Sequence, residues 1–314
     1  MEPAPFLQSF ESLRNCTYCP RNCHADRFAG KSGYCRSDAA FNVASVCIHR
    51  GEEPVISGEQ GICNIFFTNC NLQCIYCQNS QISDRRMSRV NTAMELPDIL
   101  DAVKRILDQG ITLVGFVSPS HFIPQMLAII HGVREMGYNP TWVYNTNGYD
   151  KAETLRSLEG TIDIYLPDFK YMDSTVAGEL SDAADYPQVA MKALKEMFRQ
   201  KGSTLILGDA GTARSGLIIR HLVLPGMVEN SLKVLRFIAE ELSPRVHLSL
   251  MSQYYPTEHV RNHRLLGRGI TEAEYDLVQA EMEHLGMYNG WVQEFESSDH
   301  YRPDFRNEHP FEAS

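Results

Sequence analysis

From Asn79 to the C-terminus the sequence contains no cysteine; all nine lie before residue 78. No apolar run approaches the ~20 residues that span a bilayer, so no membrane-crossing helix is expected. The opening MEPAPFLQSFESLRN lacks the basic start and apolar core of a signal peptide, and a cytoplasmic chain is the expectation. Basic residues are in deficit, with 29 Lys and Arg against 39 Asp and Glu and a formal net charge of −10. With no basic stripe, neither a nucleic-acid partner nor a membrane partner is expected. SDRRMSR at 83–89 is short and reads as a solvated loop. Internal repeats and low-complexity tracts are missing too, and the tail SSDHYRPDFRNEHPF reads as irregular.

What is present is an ordinary globular composition over 314 residues, 43% hydrophobic and 22% charged, enough for one large domain and a small module. An odd number of clustered cysteines in a chain read as cytoplasmic points to metal or redox chemistry rather than to structural disulfides. Their crowding at the front predicts a cysteine-rich module over 1–58 and a larger domain over 59–314.

The larger part alternates apolar runs with helical periodicity. Strands are predicted at 62–68, 111–117, 141–145, 162–166, 217–224, 246–251 and GWVQEF (290–295). Helices are predicted at 96–110, 124–137, 151–158, 186–202, 231–242 and in TEAEYDLVQAEMEHLG (271–286). Six or seven such units with near-continuous apolar strands imply an α/β fold. Specifically, they imply a parallel sheet wound as a partial (β/α)6-type barrel, with functional groups at the C-terminal strand ends.

Cys70, Cys74 and Cys77 form C-x3-C-x2-C directly after the first barrel strand. Thiolates on a short loop can converge on one iron–sulfur cluster, and three ligands leave one iron of a four-iron cluster without cysteine. Cys63 lies within the strand, sharing a face with Ile65 and Phe67, and reads as a core thiol. A zinc knuckle is the alternative, but structural zinc takes four ligands and no fourth is near.

C-x3-C-x2-C with Tyr76 before its last cysteine resembles the signature of the radical S-adenosylmethionine (SAM) superfamily. Further stretches, YNTNG (144–148), DIYLPDFKYMD (163–173), IIRHLVLPG (218–226) and LMSQYYP (250–256), resemble pyruvate formate-lyase activating enzymes and the uncharacterised proteins beside them. The resemblance covers roughly 60–256. It implies a [4Fe–4S] cluster on the three cysteines, whose fourth iron binds the amino and carboxylate groups of SAM. It also implies reductive cleavage of SAM to a 5′-deoxyadenosyl radical and hydrogen abstraction from a substrate, an oxidoreductase chemistry. An electron donor such as flavodoxin or ferredoxin would serve it, and a glycyl-radical enzyme would be the partner.

Carried over residue by residue, the resemblance assigns Tyr76, Asn145, Thr146, Asp168, Lys170 and Arg220 to the cofactor. A buried, unpaired guanidinium is costly, so Arg220 calls for an anionic partner. An ordinary strand-end ion pair is the alternative for each charge. The sequence also departs from the activases. Where they carry Gly-Gly-Glu, it reads VSPSHF (117–122), leaving Ser118, Ser120 and His121 as substitutes and no carboxylate. Where they carry Asp, it has Asn145.

In the front module, Cys16, Cys19, Cys23 and Cys35 are spaced C-x2-C-x3-C-x11-C. Zinc, a second iron–sulfur cluster and reduced, metal-free thiols are the three readings. CIHRGEEPVISG (47–58) joins the two parts, either as a solvated linker or as a cap bringing Cys47, His49, Glu52 and Glu53 to the site. The leading functional expectation is hydrogen abstraction from a glycine of a partner protein. Modification of a small metabolite or peptide is the alternative within enzymes, and a non-catalytic iron–sulfur or zinc electron carrier or scaffold is the alternative outside them.

Overall fold

The computed structural model describes residues 9–30, 33–85, 93–295, 303–307 and 310–311. Residues 86–89 of the SDRRMSR run, the first eight residues and most of the tail lie outside the described residues.

Nine strands form one sheet: β1 (Val43–His49), β2 (Ile62–Phe67), β3 (Leu113–Val117), β4 (Thr141–Thr146), β5 (Ile164–Pro167), β6 (Ile206–Leu207), β7 (Ala213–Leu222), β8 (His247–Met251) and β9 (Gly290–Val292). Their order is β1-β2-β3-β4-β5-β7-β8-β9, with β6 paired to β7 alone. Every pairing from β2 through β9 along that order is parallel; β1 joins β2 antiparallel. The two ends, β1 and β9, do not meet, so the sheet is an open, partial barrel. Covering helices are α1 (Leu96–Leu107), α2 (Ile123–Glu135), α3 (Ala152–Ser157), α4 (Ser174–Ser181), α5 (Tyr186–Lys201), α6 (Val228–Phe237) and α7 (Glu272–His284).

The α/β class and barrel type are as expected, and local chemistry explains the boundaries. α2 stops where Gly137 takes φ 88°, a conformation that Cβ-bearing residues resist. α4, absent from the periodicity reading, starts where the Asp173 carboxylate accepts from the Thr175 and Val176 amides. The expected helix 231–242 begins earlier, at Val228, and its last turn widens into a π turn over Ile238–Leu242. The segment read as a joining piece begins inside a strand: β1 pairs Cys47 with Asn64 and His49 with Ile62. Its alternation of buried and half-buried residues suits an edge strand, and Cys47 and Glu53 are both buried.

Strand alternation divides the side chains between two faces. Cys63, Ile65, Phe67, Phe116, Trp142 and Tyr144 pack outward under the helices, with Phe116 stacked on Trp142 at 5.7 Å. Inward, Ile56, Ile62, Leu113, Val143, Ile164, Leu166 and Ile218 close the N-terminal end of the barrel with an apolar plug. Above that plug the inward positions turn polar, and this is where β3 needs glycine. A Cβ on Gly115 would stand 2.2 Å from Asn64 Oδ1 and 3.0 Å from Ile62 Cδ1. Gly115→Ala should therefore cost about 1–3 kcal/mol by overpacking, read as a lower urea midpoint at unchanged slope.

Candidate cofactor and substrate site

The polar layer above the plug is built from elements far apart in sequence. Asn145 is the last but one residue of β4, Asp168 follows β5, Arg220 lies in β7, and Glu52 comes from the turn after β1. Asp168 and Arg220 meet as an isolated parallel bridge extending the β5–β7 pairing. Arg220 Nε donates to Asp168 Oδ1 at 2.9 Å, its Nη1 to Glu52 Oε2 at 3.1 Å and its Nη2 to Asn145 Oδ1 at 2.6 Å. Lys170 Nζ donates to the other Asp168 oxygen at 2.7 Å. Asn64 and Asn145 donate to Glu52 Oε1 at 3.0 and 3.3 Å.

Two cations and two carboxylates thus face one another in a site largely shielded from water. Burial pushes the Asp168 carboxyl up, but Arg220 and Lys170 outweigh it and hold it below the ordinary range. Burial likewise opposes the charge on Lys170 and Arg220, and the carboxylates more than restore it. The anion that a buried Arg220 requires is supplied by the chain itself.

Beside this network lies the three-cysteine loop. Cys70, Cys74 and Cys77 line one cavity of about 480 Å³ together with Tyr76, Ser118, Asn145, Thr146, Asp168, Lys170 and Arg220. Each sulfur has a polar neighbour placed to donate to it. Asn147 Nδ2 donates to Cys70 Sγ at 3.3 Å and the Leu72 amide donates to it at 3.4 Å. Ser181 Oγ donates to Cys74 Sγ at 3.0 Å, and Ser83 Oγ lies 3.2 Å from Cys77 Sγ.

Burial pushes the Cys70 thiol up to about 12 and the Cys74 thiol up to about 11, the latter despite Lys170. Such thiols are protonated alone and become thiolates on coordination, when donors aimed at sulfur are favourable. This donor set fits an iron–sulfur cluster. Among the described residues no three Cys, His, Asp or Glu side chains converge closely enough to hold a single metal ion.

The other sequence-singled residues divide. Ser118 lines the cavity from a left-handed conformation, φ 55°, its amide bonded to Asn145 O. Ser120 and His121 do not line it: Ser120 Oγ sits 3.2 Å from Thr146 Oγ1, and His121 Nε2 is 3.0 Å from Thr68 O. The Thr146 hydroxyl is spent on Asp150, and the Tyr76 hydroxyl meets that of Tyr171 at 2.5 Å.

Burial pushes His121 down to about 3 and His221 down to about 4. Both are neutral when folded, so the unfolded chain takes up protons first as pH falls below about 6.5. Stability should fall from there toward pH 4 by about 3 kcal/mol for each histidine. Urea midpoints measured across that window, in wild type and His221→Gln, check the slope.

The front module sits against the cysteine loop. Arg21 Nε donates to Asn71 O at 2.9 Å, its guanidinium stacking on Tyr34 at 3.6 Å. Lys151 Nζ donates to Thr17 O at 3.0 Å, and Thr154 Oγ1 donates to Tyr18 O at 2.8 Å. Cys16, Cys19 and Cys35 are buried and Cys23 is partly exposed. The cavity residue that sequence reasoning underweighted is Glu52. Its only signal was a carboxylate near the entry to β2, 168 positions from the arginine it pairs with.

The chain is 27% identical over 285 residues to Uncharacterized protein MJ0674 of Methanocaldococcus jannaschii, covering 88% of this chain and 76% of that one. Among solved structures, SuiB of Streptococcus suis bound to its precursor peptide SuiA is 14% identical. That alignment covers 72% of this chain and 47% of the other, with a TM-score of 0.48. Native anSMEcpe with bound AdoMet is 12% identical over 72% of this chain and 61% of that one, TM-score 0.49. A domain of pyruvate-formate lyase-activating enzyme from Bacteroides vulgatus is 15% identical over 63% of this chain and 91% of that domain, TM-score 0.36. The chain thus spans about half of SuiB and under two thirds of anSMEcpe. The family model of the radical SAM superfamily matches residues 64–238, more than half of the chain. The protein belongs to the radical SAM superfamily, whose members carry a [4Fe–4S] cluster and use SAM.

Proposed function

We propose that Cys70, Cys74 and Cys77 hold the [4Fe–4S] cluster, that SAM binds against Asn145, Asp168, Lys170 and Arg220, and that the enzyme abstracts hydrogen from a glycine of a partner protein. One observation carries the cofactor part. The sulfurs of buried Cys70 and partly buried Cys74 and Cys77, each with a polar partner, share a cavity with a preorganised cluster of two cations and two carboxylates. A bare electron carrier has no use for that cluster.

When bound, the group supplies one-electron reductive cleavage of a sulfonium and removal of a hydrogen atom. The chain's own residues position it. Lys170 and Arg220 present fixed donors to a carboxylate or ribose, and Asn145, locked by Glu52 and Arg220, keeps its amide oriented. Ser118 adds a hydroxyl at the cavity wall.

The glycine-bearing partner is supported by the resemblance of 60–256 to the activases. A second reading, a small metabolite or peptide, is favoured by Trp291, Pro303 and Phe311, which wall the cavity on another side. In the front module, a second cluster or zinc on Cys16, Cys19, Cys23 and Cys35 is part of the proposal, and for zinc the four sulfurs would have to draw together as the ion binds. Burial pushes the Cys19 thiol up to about 12, so a metal there would have to displace its proton.

Anaerobic reconstitution with iron and sulfide, then dithionite and SAM, is expected to yield 5′-deoxyadenosine. No product from a fully reconstituted protein would favour the scaffold reading. Retention of a glycyl-radical protein in an anaerobic pull-down separates the two substrate readings.

A further inference from the structure

Every residue assigned above to the cofactor falls within 64–238, the part matched by the superfamily. One wall of the same cavity does not. His49, Glu53, Ser249, Met251, Trp291 and Phe311 all line it and all lie outside that match. This wall is the chain's own, and it contains polar groups that the network leaves unused.

Glu53 is 8% exposed, and its Oε2 meets no hydrogen-bond partner. The Ser249 hydroxyl lies against the carboxyl, and Arg220 is close enough to act on it. Arg220, however, is already bonded to Glu52, Asp168 and Asn145. Among the described residues Glu53 forms no ion pair of its own. The two cations and two carboxylates of the network balance, so Glu53 is the surplus acid of the cavity. Burial pushes its carboxyl up, as expected for an acid without a counter-charge. His49, also 8% exposed, leaves Nδ1 without a partner, and its ring lies 4.1 Å from that of Phe311.

Buried polar atoms without partners are rare, and two on one cavity wall mark a place for a ligand. We infer that Glu53 is the substrate-binding residue of this enzyme and that the substrate presents a protonated amine to it. Glu53 Oε2 and a neutral His49 Nδ1 are both acceptors, and an ammonium group offers three donors and the missing positive charge. Phe311, Met251 and Trp291 supply an apolar surface for the carbon skeleton beside it. The amine is that of a small molecule or of a peptide side chain. The inference rests on the second of the two substrate readings above, a small metabolite or peptide, with the cavity holding it beside SAM.

Trp291 is the tryptophan that lines the cavity, whereas Trp142 is buried under the helices, so ligand entry is readable as a change in fluorescence. Reconstituted holoenzyme is titrated with phenethylamine, with N-acetyl-lysinamide and with 2-phenylethanol, which has the ring but no charge. Saturable binding is expected of an amine and not of the alcohol. Glu53→Gln, of equal size, should weaken amine binding by at least about tenfold. Equal affinity of Glu53→Gln and wild type, equal binding of amine and alcohol, or no binding of either amine would each overturn the inference.

SAM affinity is measured on the same variant. A tenfold loss there would mean that the cation is the cofactor's own, and would overturn the substrate assignment. Failure of wild type to form 5′-deoxyadenosine would instead sink the proposed function, whatever the amine titration shows.

Discussion

Cys74→Ser should leave a folded protein that holds no cluster at the three-cysteine loop and forms no 5′-deoxyadenosine. Cys74 is joined to the rest of the site by two contacts. Ser181 Oγ donates to it at 3.0 Å, and the Lys170 charge acts on it. A hydroxyl at that position keeps the size but loses the soft thiolate that iron prefers. Ser181→Ala removes the hydrogen bond to sulfur and the contact of the same hydroxyl with the Tyr171 hydroxyl at 2.8 Å, and should cost about 10- to 100-fold, the usual range for a partner of a metal ligand. The expected ordering, Cys74→Ser far below Ser181→Ala and Ser181→Ala below wild type, is checked by iron content and by 5′-deoxyadenosine formed per cluster. An active Cys74→Ser variant would remove the loop from the chemistry.

Arg220→Met should destabilise the fold by about 3–5 kcal/mol, because a buried pair broken from one side leaves an uncompensated charge. The loss falls mainly on Glu52. Asp168 keeps Lys170 at 2.7 Å, whereas Glu52 retains only the amides of Asn64 and Asn145. Adding Glu52→Gln to Arg220→Met should therefore recover part of the stability, an interaction that urea denaturation of the four proteins in the cycle measures.

Acid adds a second readout. Asp168 is held below its ordinary value of 3.8, so its contribution is present above about pH 4 and is lost as pH falls through the lower, folded value. Removing Arg220 takes away the largest influence holding it down, so the gap between its folded and unfolded values narrows and the part of the acid loss due to Asp168 should shrink.

The legible part of this molecule was the part governed by local patterns. Apolar runs such as ITLVGFV and TWVYN place β3 and β4 within a residue or two, because a strand covered on both faces must be apolar throughout. Three cysteines in eight residues identify their loop, since thiols so close have few other uses. Arg220 was conspicuous as a charge inside an apolar strand, and the structure brings it to Asn145, Asp168 and Lys170 as the spacing after successive strands suggests.

What escaped depends on partners far along the chain. Glu52 looks like one acid among thirty-nine until the barrel brings Arg220 beside it. β1 is an edge strand with one half-solvated face, so VASVCIH lacks the unbroken apolar run that marks the parallel strands. α4 is a two-turn helix signalled by little more than the Asp173 cap. His121 and Ser120, expected near the cofactor, turn away because their side chains serve the packing of the loop after β3.

The antiparallel pairing of β1 has a consequence for taking the protein apart. Its strand and following turn carry both Glu52 and Glu53 into the barrel mouth, so a fragment beginning at residue 59 would lack an internal counter-ion as well as a segment of wall. Arg220 would then face Asp168 and Lys170 alone, with net positive charge sealed inside. The barrel is thus not a detachable unit: its electroneutrality is completed by the stretch of chain that leads in from the cysteine-rich front.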